Sequence, residues 1–233
     1  HSEYSIVDSI VKIDQLSEKA QHYNYESIAI TDSANLFGFL KFYKSVRSKG
    51  IKPIAGAEIN HVRDSSSHNE HANLTLIAKN QLGYKNLIKL ISKSQIVGKT
   101  SGIPVIETEW LAEHSDGLIA LSGGFRGHIG KAVLDTNHDL FLKRIKYFQK
   151  IFKEDFILEI SRINRPQEDL YNDYILSKAG ELGLPVVASN EVRFIDKEDY
   201  EAHETRVCIQ KGEVLSDARR TRSYFCLLYT SDA

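Results

Sequence analysis

Short apolar runs of strand length alternate along this chain with segments whose apolar residues recur every three or four positions. The runs are residues 27–31 (SIAIT), 52–59 (KPIAGAEI), 74–78 (LTLIA), 117–121 (GLIAL), 156–160 (FILEI) and 185–188 (PVVA). They are rich in Ile, Val and Leu, as strands covered on both faces are. Between them, residues 11–23 place Ile13, Leu16 and Ala20 on one helical face, and residues 36–48 do so with Leu36, Leu40, Tyr43 and Val46. Residues 84–94, 140–152, 167–182 and 198–209 continue the helical period. Gly50 and Gly183 each stand between a helix and a strand, where a C-terminal cap is expected. Pro53 and Pro185 sit at strand starts, where a missing N–H costs least.

This β–α alternation predicts an α/β fold with a parallel sheet, because parallel strands need long crossovers. Six strands are visible and a seventh is expected before His1, a count that suits a closed or nearly closed barrel. Residues 63–71 (RDSSSHNEH) read as a polar surface loop.

Composition narrows the class. The 233 residues are 42% hydrophobic and 26% charged, with 30 Lys+Arg against 31 Asp+Glu. These values describe a globular protein and exclude a uniformly basic nucleic-acid coat. Two cysteines, Cys208 and Cys226, build no disulfide framework, so a reducing cytoplasm is the expectation. No apolar stretch reaches 18 residues and no leader pattern opens the chain, so neither a membrane span nor a signal peptide is expected. The chain contains no Met and begins at His1, and it is therefore expected to be a piece of a longer protein.

Chemistry in parallel α/β folds gathers at the carboxyl ends of strands. There the sequence places Asp32-Ser33, Glu58, His71 and Asn73, Ser122-Gly123-Gly124 and Ser189-Asn190-Glu191-Val192-Arg193, with His1 and Asp8 at the front. Loops are polar in any protein, and each residue alone has that plain explanation. His1, Asp8, Glu58 and Glu191 together are of the types that hold Zn²⁺, Mn²⁺ or Mg²⁺. Residues 122–127 (SGGFRG) allow a phosphate cradle with Arg126, but lack the ending of a P-loop and read better as a tight turn. Arg219, Arg220 and Arg222 form a small basic cluster that would touch DNA phosphates or simply be solvated. No C-x-x-C, H-E-x-x-H or G-x-S-x-G occurs, so Ser-His-Asp hydrolysis has no support.

Several long segments resemble one family: HSEYSIVDSI, AITDSANLFGFLKFYKSVRSKGIKPIAGAEI, LTLIAKNQLGYKNLIKLIS, GLIALSGG, and the stretch from RPQEDL through NEVRFI to DARRTR. It is the N-terminal PHP (polymerase and histidinol phosphatase) domain of bacterial DNA polymerase III alpha subunits, of the proteobacterial type. The resemblance covers residues 1–222 in family order. It implies a distorted seven-stranded β/α barrel whose first strand is truncated here, with metal ligands at the strand ends. It assigns ligand positions to His1, Asp8, Ser33, Glu58, Asn73, Gly124, Glu191 and Arg193. His1, Asp8, Glu58 and Glu191 keep ligand chemistry, whereas Ser33, Asn73, Gly124 and Arg193 do not. Losing even an outer partner costs about 10–100-fold in metal affinity, so no tight metal cluster is expected. Arg193 is expected to put a fixed positive charge where a cation would sit, paired with Glu58, Glu191 or Asp8.

By the same resemblance, the chain is expected to be a non-catalytic scaffold with no catalytic residue, no bound metal and no cofactor of its own. DNA-directed DNA polymerase activity, with its Mg²⁺, would belong to a palm domain elsewhere in the longer chain. The expected partners are the proofreading exonuclease (epsilon) subunit and the remainder of the alpha chain, with DNA reached through other domains and no membrane. The alternatives are an active metal-dependent phosphoesterase, acting as a 3′–5′ exonuclease or a histidinol-phosphate-type phosphatase, and an unrelated metabolite barrel. Residues 223–233 depart from the family and resemble translated adapter sequence, so they are expected to be foreign.

Overall fold

The computed structural model describes residues 1–6, 8–62, 71–100, 102–217, 219 and 226–227. In chain order the elements are α1 (Ile13–His22), β1 (Ser27–Ile30), α2 (Phe39–Ser48), β2 (Lys52–Val62), β3 (Ala72–Ala78), α3 (Gln81–Ile96), β4 (Lys99–Thr100), β5 (Ile103–Glu107), α4 (Thr108–Glu113), β6 (Leu118–Leu121), α5 (His128–Leu134), α6 (His138–Phe152), β7 (Phe156–Ile160), α7 (Glu168–Leu182), β8 (Val186–Ala188), β9 (Val192–Phe194), α8 (Tyr200–Lys211) and β10 (Cys226–Leu227). They form two compact units. The first comprises His1–Ile54, Arg162–Arg165 and the described part of 190–233, and the second comprises Ala55–Ser161 and Pro166–Ser189.

The first unit has its own core. The period predicted for α1 is realised, with Ile13, Leu16 and Ala20 buried against Val11, Ile28, Ile30, Phe42, Val46, Ile51 and Ile195. The hydroxyls of Ser17 and Ser45, 2.8 Å apart, link α1 to α2. Gly50 adopts φ +78° after α2, a conformation that costs a glycine little, and the chain then returns beside β1. There the Lys52 N–H donates to the Glu26 carbonyl at 2.9 Å. In the same unit β9 pairs in parallel with β10.

In the second unit the strands run in the order β4-β5-β2-β3-β6-β7-β8. The sheet is mixed, which corrects the all-parallel expectation. β3 is antiparallel to both neighbours, with Glu58 opposite Thr75, Asn60 opposite Asn73, and Ala120 opposite Leu76. The reason is local. Only nine positions separate the end of β2 from the start of β3, fewer than the dozen or so that a parallel crossover needs, so they pair antiparallel. The pairs β2–β5, β6–β7 and β7–β8 are parallel as expected.

All six predicted strands and all six predicted helices are present. The periodicity missed β4, β5, β9, β10, α4 and α5. β5 buries only Val105 and Ile106, and α5 is interrupted by Gly130, so neither shows a sustained period. Gly130 is needed where it stands, since an added Cβ would lie 2.3 Å from the Gly124 carbonyl oxygen.

The core of this unit is aromatic at its centre. Phe148 stacks on Phe156 with centroids 5.1 Å apart and meets Tyr147 edge-on at 4.9 Å. Phe148→Ala removes a ring that is 1% exposed. Urea unfolding is expected to show a loss of about 3–5 kcal/mol. A loss under about 1 kcal/mol would mean that the ring is not part of a close-packed core.

Candidate functional site

Each unit carries its own set of the strand-end residues singled out by the sequence. In the first unit the framework is a buried carboxylate. Asp32, just after β1 and 2% exposed, accepts the Ser2 N–H at 2.5 Å and the hydroxyls of Ser2 and Ser5 at 2.8 Å each. Three charge-assisted hydrogen bonds fix the segment that carries His1 and Asp8. The main-chain nitrogen of His1 donates to the Val192 carbonyl at 3.3 Å, and the Ile10 N–H donates to the Arg193 carbonyl at 3.0 Å. The segment is thereby tied to β9.

Along that tie lies a chain of charges. His1 Nδ1 is 3.4 Å from Asp8 Oδ2, which is 3.6 Å from an Arg193 guanidinium nitrogen. The far side of Arg193 is 3.9 Å from Glu191 Oε2, and Glu191 Oε1 accepts from Arg165 at 3.0 Å. The Arg193 side chain is 1% exposed. Burial pushes its guanidinium down to about 9, which still leaves it charged at neutral pH. Asp8 and Glu191 contribute two negative charges, and Arg165 and Arg193 two positive ones. The cluster balances its own charge. Behind it, the His203 ring donates to the Asp8 carbonyl at 3.1 Å, and burial holds this imidazole below the usual histidine range.

The second unit repeats the pairing of acid with arginine. Glu58 on β2 lies 3.4 Å from Arg126. Burial raises the Glu58 carboxyl above its ordinary value, against the lowering effects of Arg126 and of the hydrogen bond from Asn73. Arg126 ends the 3₁₀ turn Gly124–Arg126. The segment Ser122–Gly127 is thus the tight turn, packed against β3. Asn73 bridges to Gly127, and a Cβ at Gly123 (φ +76°) would lie 2.1 Å from the Asn73 carbonyl oxygen. No phosphate cradle is needed to explain it.

The eight positions singled out by resemblance fall as follows. His1, Asp8, Glu191 and Arg193 meet in the first unit, where the Ser33 main-chain N–H is spent on the Ser5 hydroxyl at 3.0 Å. Glu58 and Asn73 meet in the second. Gly124 there has φ +52°, and a Cβ built on it would lie 3.9 Å from Glu159 Oε2. Of the partners expected for Arg193, Asp8 and Glu191 are present within its unit, and Glu58 is engaged by Arg126. Sequence reasoning missed Arg165, His203 and the Glu159–Ser189 hydrogen bond, because each partner lies tens to hundreds of positions away. Asp32 stood among the strand-end residues, but its serine partners carried no signal. In the basic cluster, Arg219 is turned onto Asp217 at 3.0 Å. Arg220, Arg222 and the Cys226 side chain lie outside the described residues.

Residues 1–163 match the family model of the PHP domain. The chain belongs to the PHP family. It is 42% identical over 224 residues to DNA polymerase III subunit alpha of Vibrio cholerae and of Escherichia coli K12, in each case over 96% of this chain and 19% of the relative. The protein of the same name from Pseudomonas fluorescens is 39% identical over 233 residues, all of this chain and 20% of the relative. The chain thus spans about a fifth of the length of the relatives it matches. Two solved structures share the fold. One is a Bifidobacterium adolescentis protein assigned as a metal-dependent phosphoesterase, with TM-score 0.54 and 12% identity over 78% of this chain and 82% of that one. The other is an amidohydrolase of Chromobacterium violaceum, with TM-score 0.52 and 11% identity over 87% and 94%. The expected α/β PHP fold is therefore borne out.

Arg193→Ala removes a buried guanidinium from between Asp8 and Glu191, whose side chains are 36% and 19% exposed. The expected loss is about 3–5 kcal/mol in urea unfolding, because one charge of a buried set is removed and the others remain. A stability change within about 0.5 kcal/mol would show that the charges are solvated and independent.

Proposed function

We propose that this chain is the PHP portion of a DNA polymerase III alpha subunit and that this portion acts as a non-catalytic scaffold. The observation that carries the reading is the buried Arg193 between Asp8 and Glu191. A PHP metal centre needs imidazoles and carboxylates free to coordinate. Here Asp8 is held by a guanidinium, and Ser33, Asn73, Gly124 and Arg193 replace ligand-bearing residues. A divalent cation entering this set would face Arg193 and Arg165, and the Asp8 and Glu191 carboxylates that would offset its charge are already engaged by those arginines. On this reading His1, Asp8 and Glu58 keep donor atoms within 4.8 Å of one another, but arginines engage the carboxylates and four of the eight positions carry no ligand chemistry, so no chemical step is assigned to a metal.

On this reading, nucleotidyl transfer with its Mg²⁺ belongs to a palm domain elsewhere in a cytoplasmic polymerase chain. The PHP portion braces that chain and holds the proofreading exonuclease subunit, while DNA is reached through other domains. Identity to relatives named as alpha subunits supports the first part. Among the described residues no helix is long and apolar enough to cross a membrane.

The second reading is a metal-dependent phosphoesterase. It is favoured by the retained His1–Asp8 pair, 3.4 Å apart. Elemental analysis separates the two. The scaffold reading expects no stoichiometric Zn, Mn or Fe in the purified protein, together with capture of the cognate exonuclease subunit in a pull-down. Two or three bound metal ions per chain with metal-dependent phosphatase activity would overturn it. The triple variant Ser33→His, Asn73→His, Arg193→His is expected to raise Mn²⁺ affinity at least about tenfold, as read by titration. Unchanged affinity would mean that the loss of ligands is not what empties the site.

A further inference from the structure

Charge is unevenly placed along this chain. The whole sequence carries a formal charge of −1, yet no Asp or Glu occurs from residue 71 to residue 106. Lys79, Lys85, Lys89, Lys93 and Lys99 all fall in that stretch. Lys79 pairs with Asp155, at 2.8 and 3.0 Å. Three of the others belong to α3, which contains no acidic residue.

The second unit holds α3 in one orientation. Asn80 caps the helix by accepting the Gly83 N–H at 3.0 Å. Gly83 approaches the turn before β6 so closely that an added Cβ would overlap the Gly117 carbonyl. Asn86 donates to the Asp116 carbonyl at 2.9 Å, and Leu87, Leu90 and Ile91 are buried on the inner face. The helical turn of about 100° per residue then decides what points outward. Leu82, Lys85, Ile88, Lys89, Lys93 and Ile96 share one arc of about 140°, on which lysines and apolar residues interleave. Lys85 and Lys89 are exposed and Lys93 is half-buried. Leu82, Ile88 and Ile96 are 54%, 39% and 79% exposed.

Water alone serves this face poorly. The lysines follow one another at four-residue spacing, about 6 Å along the axis, and like charges so placed repel. Among the described residues none of the three makes an ion pair, and the acids of the adjoining β5–α4 segment, Glu107, Glu109 and Glu113, do not engage them. Lys93 rests instead over the Trp110 ring of α4, its Nζ 4.3 Å from the centroid. Three large apolar side chains stay in solvent beside these charges, and contact with a partner would remove that cost.

The two patterns together define the occupant. Anionic groups would relieve the repulsion, and apolar groups between them would cover the exposed side chains. A phosphate backbone supplies the first and lacks the second. A second copy of this chain using the same face would set lysine against lysine. A helical partner reads anchors at three- and four-residue spacing, the period that the exposed positions of α3 share. We propose that the outer face of α3 docks an acidic amphipathic helix of another protein chain, whose carboxylates meet Lys85, Lys89 and Lys93 and whose apolar side chains cover Leu82, Ile88 and Ile96. The proposal stands on α3 alone and is independent of the scaffold reading and of metal content.

Fluorescence anisotropy on the whole chain tests it with labelled probes. One is a helical peptide as long as α3, with Glu at every fourth residue and Leu between the Glu positions. The others are poly-Glu of the same charge and a single-stranded DNA oligonucleotide. The amphipathic peptide is expected to bind at least about tenfold more tightly than either of these. Lys85→Glu with Lys89→Glu should weaken it at least about tenfold, and Ile88→Gln with Ile96→Gln at least about threefold. No binding of the peptide, or affinity unchanged by the charge reversal, overturns the proposal. Poly-Glu or DNA bound as tightly as the peptide would make the face a general anion surface. Self-association of the chain in sedimentation, abolished by the charge reversal, would make it a contact between copies. Either result also overturns the proposal. If a variant fails to fold, amide shifts of the parent chain on peptide addition read the same question. They are expected to concentrate on α3, and shifts centred elsewhere sink the assignment.

Discussion

The buried guanidinium of Arg193 is the constraint on which the rest of the first unit depends. Isolated, a charge at 1% exposure would be very costly. It is tolerated because Asp8 and Glu191 stand on either side and Arg165 completes the balance. The geometry has to be held, since each of these separations is several ångströms and each partner comes from a different part of the chain. Asp32 does much of the holding, through three hydrogen bonds to the segment that bears His1 and Asp8. A buried set of this kind is weak evidence for net stability. Its stronger effect is on chemistry, because carboxylates engaged by arginine are poor candidates for coordination.

The same outcome is reached independently in the second unit. Glu58 keeps its carboxylate, but Arg126 reaches it from a turn that glycines make possible. In both units acids at strand ends stand against an arginine counter-charge. Gly124, by contrast, offers no side chain at all, and its positive φ suits a residue without Cβ.

Much of this was legible in the sequence. Repeated runs of Ile, Val and Leu located every strand from β1 to β8 except β4, which has two residues, and β5, which buries only Val105 and Ile106. Helix boundaries were close because caps such as Gly183 have a conformational cause. Family resemblance singled out His1, Asp8, Glu58, Glu191 and Arg193, and each of the four acids and bases other than His1 is found in an acid–arginine pair. What escaped was direction and partnership. β3 runs against its neighbours, which residue type does not encode. Arg165 and His203 each depend on a partner 26 or more positions distant, and pattern reading along the chain is blind to such pairs.

The first unit is assembled from three separated stretches of chain, His1–Ile54, Arg162–Arg165 and the segment after Asn190. Its N-terminal portion meets Val192 and His203 across about 190 residues. On a ribosome, which adds roughly 5–20 residues each second, those 54 residues must wait on the order of ten seconds for their partners to emerge. The second unit is nearly continuous and completes earlier. The order of synthesis therefore leaves the charge cluster as a late event, and an N-terminal segment with apolar α1 and α2 faces is exposed in the interval, when chaperone binding would matter most.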